Sequence, residues 1–242
     1  MTKIFISTPC YNSSMLIDYT ISLLNSIQYL NMNGIQCEFD FVGNESLIPR
    51  ARNRALNKFL QSDCSHLLFI DADISFPHDA ILDLIKKDKD VVGCAYPKKE
   101  INTKRLLMSL QIERDSVEEH DSRLLEFVFN IHRDSNNNIE RDGDYVKARH
   151  IGTGFMLIKR DIINKLCEKH TELMVKEDSN SPEYCGLFCC KIKNKEYLSE
   201  DYSFCDRVMD IDGEIWLNIK HNLTHTGLYR FSSDIKNRRD IY

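Results

Sequence analysis

The 242-residue chain has no apolar run that approaches the length of a membrane-spanning helix. It also has no block of like charge, and its formal net charge is only −5. These absences argue against a helical membrane protein and against a general binder of nucleic acid or anionic lipid. The opening stretch Met1 to Ser7 lacks the long apolar core of a secretory signal and reads as the start of a strand. Nine cysteines are scattered along the chain. An odd count without a secretion signal leads us to expect reduced thiols and a cytoplasmic setting. Cys185, Cys189 and Cys190 cluster, with Cys205 beyond, but the two-residue spacing of a zinc knuckle is missing.

The residues that are present alternate between two periods. Lys3 to Thr8 is β-branched and strand-like, and Pro9 is expected to end it, with Ser13 or Ser14 capping the next helix. Leu16, Thr20, Leu23, Leu24 and Ile27 recur at helical spacing, and Cys37 to Val42 reads as a second strand. A second helix has Pro49 in its first turn. Arg50, Arg54 and Asn57 share one of its faces, and Ala51, Ala55, Leu56 and Phe59 form its packing side. An arginine face near strand ends suits phosphate or a base, although on spacing alone a solvated basic face is the simpler reading.

Leu67 to Ile70 are four apolar residues in a row, a buried strand, and Asp71-Ala72-Asp73 come immediately after. In an open α/β sheet, ligands lie beyond the carboxyl ends of the strands. Two carboxylates one residue apart supply hard oxygen ligands of the kind Mg2+ or Mn2+ takes alongside phosphate. Asp-x-Asp is equally a common turn. Pro77 is expected to open a helix through Ile81, Leu84 and Ile85, and Asp90 to Ala95 reads as a fourth buried strand. The first hundred residues thus have the βα alternation of a nucleotide-binding half-domain.

Residues 97–150 are less regular. Leu106 to Ile112 and Leu124 to Ile131 read as strands of an antiparallel addition, and Asp134 to Asp144 as a loop or hairpin tip. The stretch as a whole fits either a surface excursion or a loop that closes over substrate. Gly152-Thr153-Gly154 then leads into an apolar strand, a spacing that permits close approach to the backbone or marks a bulge. Asp161 is expected to cap the next helix. Ser199-Glu200-Asp201 precedes another helix, where the macrodipole should favour the carboxylate anions and where all three residues also suit simple capping. His225, just before Gly227, lies beyond a last short strand, with His221 nearby.

In this order the pieces resemble a GT-A glycosyltransferase. The features are Thr8-Pro9-Cys10-Tyr11-Asn12, Ala51-Arg52-Asn53, Phe69-Ile70-Asp71-Ala72-Asp73 as the DxD motif, Gly152-Thr153-Gly154-Phe155, Glu200-Asp201 as the xED motif, and His225-Thr226-Gly227. The chain is similar to small, single-domain, family-2-like transferases, including those of large DNA viruses. The resemblance implies one GT-A (Rossmann-like) α/β domain over 1–242, with a mixed, mostly parallel central sheet and a small antiparallel addition. Residues 1–100 would bind nucleotide and 101–242 the acceptor.

It implies roles as well. Thr8, Pro9 and Tyr11 would flank the nucleoside; Asn44 or Glu45 would bond ribose or base; Arg50 or Arg54 would reach base or diphosphate. Asp71, Ala72 and Asp73 would meet the ribose and the metal, with Asp73, Asp71 and His225 as ligands to Mn2+ or Mg2+, and His221 as a competitor for that role. Gly152, Thr153 and Gly154 would line the sugar and acceptor side. Asp201 would be the general base, with Glu200 its neighbour. The expected reaction is transfer from a nucleotide sugar, with UDP the expected carrier, to a hydroxyl of a glycan, protein or small molecule, with inversion.

A sugar nucleotidyltransferase would usually carry a glycine-rich phosphate loop after the first strand, where this chain has Pro9-Cys10-Tyr11-Asn12. In a haloacid-dehalogenase-like phosphatase, Asp-x-Asp lies after the first strand rather than the third. A non-catalytic sugar-binding protein would not need both carboxylate pairs.

Overall fold

A computed structural model describes residues 2–102, 124–176, 179–232 and 234–237. Eight strands build the central sheet: β1 (Lys3–Cys10), β2 (Gln36–Gly43), β3 (His66–Ile70), β4 (Val91–Cys94), β5 (Phe129–Ile131), β6 (Tyr145–Ile151), β7 (Phe155–Lys159) and β8 (Ile215–Asn218). Their order is β2-β1-β3-β7-β4-β8-β6-β5, and the two-residue strand Arg141–Asp142 pairs on β6 as the ninth. β1 pairs parallel with β2 and β3, and β8 parallel with β4. β7 runs antiparallel between β3 and β4, and β6 antiparallel to β8 and β5. Only β6 and β7 oppose the common direction, so the sheet is mixed but mostly of one sense.

Among the described residues, five α-helices cover it: α1 (Ile17–Met32), α2 (Ile48–Gln61), α3 (Ala80–Lys87), α4 (Arg160–Lys169) and α5 (Glu200–Met209). Alternation along the strands sends side chains to two cores. Leu67 and Phe69 of β3 pack with Leu56 and Phe59 of α2, Ile163 of α4 and Phe204 of α5. Leu68 and Ile70 pack on the other face with Tyr19 and Leu23 of α1 and Ile81 and Leu84 of α3. Helices on both faces of a buried sheet give the three-layer α/β architecture.

Several local expectations change. β1 continues through Pro9, which is in register with Val42. Pairing with β3 ends at Ser7, so β1 is flanked on one side only there, where proline's missing N–H is tolerated. Neither Ser13 nor Ser14 caps α1; Leu16 precedes the helix without a side-chain cap, and its amide donates to Ala72 O at 2.9 Å. α3 starts at Ala80 after a turn closed by Ala80 N donating to Pro77 O at 3.1 Å. Asp161 lies in the first turn of α4 rather than at its cap, which is Lys159.

In the stretch after β4, Pro97–Ile101 pairs with Leu125–Phe127 as an antiparallel ribbon. The strand expected from Leu106 to Ile112 lies outside the described residues.

Candidate active site

β1 and β3 end side by side, and the residues after β3 turn sharply. Asp71 N donates to Gly154 O at 3.0 Å and Ile74 N to Asp71 O at 3.2 Å. This tight turn projects Asp71, Ala72 and Asp73 into a cavity of about 790 Å3 at the carboxyl ends of the two strands. β7 runs the opposite way, so Thr153, two residues before it, reaches the same end. The N-terminus of α5 brings Glu200 and Asp201 to the same cavity. Pro9, Tyr11 and His225 also line this space. The volume falls within the usual range for small-molecule sites.

His225 arrives by a device with no local signature. Thr224–Thr226 pairs antiparallel with Ile74–Ser75, the two residues just past the Asp turn, and with Arg230–Phe231. Thr226 N donates to Asp73 O at 2.9 Å. The His225 ring is fixed as well: its Nδ1 donates to Pro97 O at 2.8 Å, and the ring meets Tyr96 edge-on, 5.6 Å between centroids. Its Nε2 then stands 3.2 Å from Asp73 Oδ1.

A neutral ring that donates through Nδ1 presents a lone pair at Nε2. Asp73 Oδ1 is buried and has no hydrogen-bond partner among the described residues. Two lone pairs facing each other across this gap, imidazole nitrogen and carboxylate oxygen, suit a divalent cation such as Mn2+. Lys99, from Pro97–Ile101, donates to Asp73 Oδ2. Burial raises the Asp73 carboxyl, but the Lys99 ammonium and, in its protonated metal-free form, the donating His225 ring outweigh it and hold the group below its ordinary value; with Nε2 turned to a cation instead, that His225 contribution would be replaced by the cation's charge.

Arg52 is the residue whose role sequence reasoning missed. It was legible only as part of Ala51-Arg52-Asn53, and the flanking Arg50 and Arg54 drew the assignment. Arg52 is 2% exposed, donates through Nη2 to Asp71 Oδ1, and lies 4.7 Å over the Phe69 ring. Its Nε and Nη1 have no hydrogen-bond partner among the described residues. Arg50 and Arg54 instead clasp Glu45: Arg50 Nε and Nη2 each donate to it at 2.7 Å, and Arg54 Nη1 at 2.8 Å. That cluster holds the Glu45 carboxyl down at about 2, chiefly through the Arg50 hydrogen bonds. Asn44, Glu45, Arg50 and Arg54 do not line the cavity. Thr8 is fully buried against Tyr19, with 2.6 Å between the hydroxyls.

The glycines of Gly152-Thr153-Gly154 make room for protein rather than for ligand. A Cβ on Gly152 would meet Tyr96 Oη at 2.1 Å, and one on Gly154 would meet Tyr96 Cζ at 2.6 Å. The close neighbour is the Tyr96 ring, whose hydroxyl accepts from Gly154 N at 3.0 Å, and Tyr96 itself lines the cavity. His221 lies elsewhere, with Asp79 and Asp83; its Nε2 is 2.9 Å from Asp83 Oδ2.

The two carboxyls at the start of α5 do not behave as helix-terminal anions. Burial pushes Asp201 above its ordinary value, against hydrogen bonds from Ser199 and the Tyr202 amide and the nearby Arg52 charge. Burial and the neighbouring Asp201 raise Glu200 too. Desolvation therefore outweighs the local hydrogen bonds and the Arg52 charge here. Ser199 makes no side-chain cap bond, because its hydroxyl donates to Asp201 Oδ1 instead. A carboxyl poised above the normal range is a better proton acceptor at neutral pH.

No protein-family model and no curated protein matches the chain. Among solved structures, protein A197 from STIV superposes with a TM-score of 0.51 at 17% identity, over 98% of this chain and 92% of that one. A Desulfovibrio desulfuricans G20 protein named for nucleotide-diphospho-sugar transfer matches 40% of this chain and 59% of its own at 9% identity, with a TM-score of 0.30, too partial a likeness to bear on this chain. The likeness to A197 concerns the fold alone. Together with the strand order, it identifies the architecture as GT-A-like.

Proposed function

We propose that this chain is a metal-dependent glycosyltransferase that moves a sugar from a nucleotide-sugar donor, with UDP as the carrier, to a hydroxyl acceptor. One observation carries the reading: two acidic pairs, Asp71/Asp73 and Glu200/Asp201, are far apart in sequence but line one cavity. In this assignment Asp73 and His225 hold the cation. When bound, Mn2+ or Mg2+ would neutralise charge developing on the departing diphosphate. Lys98 and Lys99 line the same wall and add positive charge for that diphosphate, a role that passes to them and to Arg52 from Arg50 and Arg54. The exposed Tyr11 ring at the cavity offers a face to the base.

Asp201 accepts the proton of the incoming hydroxyl. Its raised basicity, set by burial, suits the task, and Ser199 holds its orientation by donating to Oδ1. A base on the face opposite the leaving diphosphate leads to inversion. Glu200 supplies a second carboxylate beside it.

The test is a screen of nucleotide sugars for metal-dependent hydrolysis, and then Asp201→Asn. Turnover of UDP sugars is expected, lost with a chelator. The variant should still bind UDP by calorimetry while turnover falls about 10²-fold or more. Hydrolysis of GDP or dTDP sugars only would refute the UDP assignment. Near-normal turnover in the variant would remove Asp201 as the base.

A further inference from the structure

A second cavity, of about 710 Å3, is lined in part by residues adjacent in sequence to those of the first. Glu200 and Asp201 face the first, while Leu198 and Tyr202 face the second; Val128 lines the first, while Asn130 and Ile131 line the second. One turn of α5 and one strand segment thus separate the carboxyl pair from a further hollow whose residues the proposed chemistry does not use.

The chemistry of this hollow is distinctive. The His150 and Tyr202 rings stack at 4.5 Å, 10° from parallel, in one wall. Tyr197 stands at 73% exposure on another side. The charges in and around the lining nearly offset one another: Arg149 and Glu196 both line it, and Lys193, with Lys191, pairs with Asp206, Lys191 also reaching Asp210 at 3.6 Å. His150 is 6% exposed, and its Nδ1 faces the Asn130 amide nitrogen at 3.2 Å, so Nδ1 accepts and Nε2 carries the proton. That Nε2 donor has no partner among the described residues. Burial holds the ring's pKa down at about 4, so it is neutral near pH 7.

Aromatic surface, amide groups and balanced charge suit a ligand that is neutral, rich in hydroxyls and apolar on one face. They suit neither a polyanion, which would need an excess of positive charge, nor a lipid, which would need an apolar lining.

We propose that the second cavity binds a sugar ring of the acceptor, so that the acceptor is a neutral oligosaccharide whose reactive end lies at Asp201 and whose preceding residues cross the Leu198–Tyr202 wall. This rests on the glycosyltransferase reading and gives it a substrate class. The exposed Tyr197 is the packing surface for the ring, and Asn130 and Arg149 are its hydrogen-bonding partners.

The test uses the full chain and a glycan array holding neutral and anionic oligosaccharides of one to four rings. Saturation-transfer NMR on the hits is compared between the wild type and Tyr197→Ala. Tyr197 is exposed and outside the first cavity, so the fold and UDP binding should be unchanged in the variant. We expect neutral di- to tetrasaccharides to bind better than monosaccharides, and Tyr197→Ala to weaken them about tenfold, the order of one lost aromatic contact. Arg149→Ala should weaken them as well. Binding to no array member, binding to anionic glycans alone, or affinity unchanged by Tyr197→Ala would each overturn the proposal. UDP calorimetry separates the two readings. UDP binding without oligosaccharide binding defeats only this inference, whereas loss of both defeats the glycosyltransferase reading beneath it.

Discussion

Replacing Arg52 by methionine tests the electrostatic arrangement most directly. The guanidinium is 2% exposed, and among the described residues it hydrogen-bonds to Asp71, whose side chain is 32% exposed. Breaking a fully buried pair by removing one partner costs about 3–5 kcal/mol. Asp71 keeps partial access to water, so the charge left behind is partly hydrated and the cost falls below that range. The lost contact with the Phe69 face adds about 1 kcal/mol. Against this, the variant no longer buries the unpartnered Nε and Nη1, and methionine refills much of the stem volume.

The net expectation for Arg52→Met is a loss of about 2 kcal/mol in urea unfolding. Asp71→Asn in the same background should recover about half, because the orphaned charge is then gone. A second readout comes from the field of Arg52, which favours the anions of Glu200 and Asp201. Without it both carboxyls rise further. The base must be deprotonated to act, so the rate is lost as pH falls, and in the variant that loss should begin at higher pH. A stability change under about 0.5 kcal/mol, the range of ordinary surface substitutions, together with an unmoved acid limb, would refute the reasoning.

His225→Ala and Asp73→Ala should each abolish the Mn2+-dependent part of UDP binding in calorimetry while leaving the unfolding midpoint within a few degrees; metal dependence surviving both changes would remove the cation assignment. Gly154→Ala drives a Cβ to 2.6 Å from Tyr96 Cζ and 2.7 Å from Ile74 Cδ1. It should cost about 1–3 kcal/mol through overpacking, seen as a lower thermal midpoint. Glu45, held at about 2 in the folded chain against an ordinary 4.5, contributes stability that is full above the unfolded value and lost as pH falls through the folded one. Glu45→Gln should therefore flatten the stability curve between about 4.5 and about 2, measured by urea titrations at stepped pH; an unchanged slope there contradicts the Arg50–Glu45–Arg54 cluster.

The alternation of strands and helices was legible because each element carries its own period. Leu67 to Ile70 reads as a buried strand from four residues, and the Ala51, Ala55, Leu56 and Phe59 face of α2 packs into the core as its spacing implies. The acidic pairs were legible because carboxylates at the end of a strand or the start of a helix are recognisable from local sequence. The partners those carboxyls meet were not. On α2 three arginines lie within five residues, and which of them turns inward is decided by the packing of the helix on β3, not by any property of the residue. The glycines around Thr153 signalled close approach, but the neighbour, Tyr96, comes from a segment more than fifty residues earlier.

The amino-acid order by itself determined the α/β layering, the two acidic pairs and their placement at element ends, since these rest on periodicity and on residue type at a boundary. Tertiary structure alone decided three things: that His225 joins Asp73 through a small sheet of non-adjacent strands, that Arg52 rather than its neighbours meets Asp71, and that burial lifts Asp201 where a helix dipole would have lowered it. Each depends on distances through space and on exclusion of water, neither of which is a property of sequence neighbours.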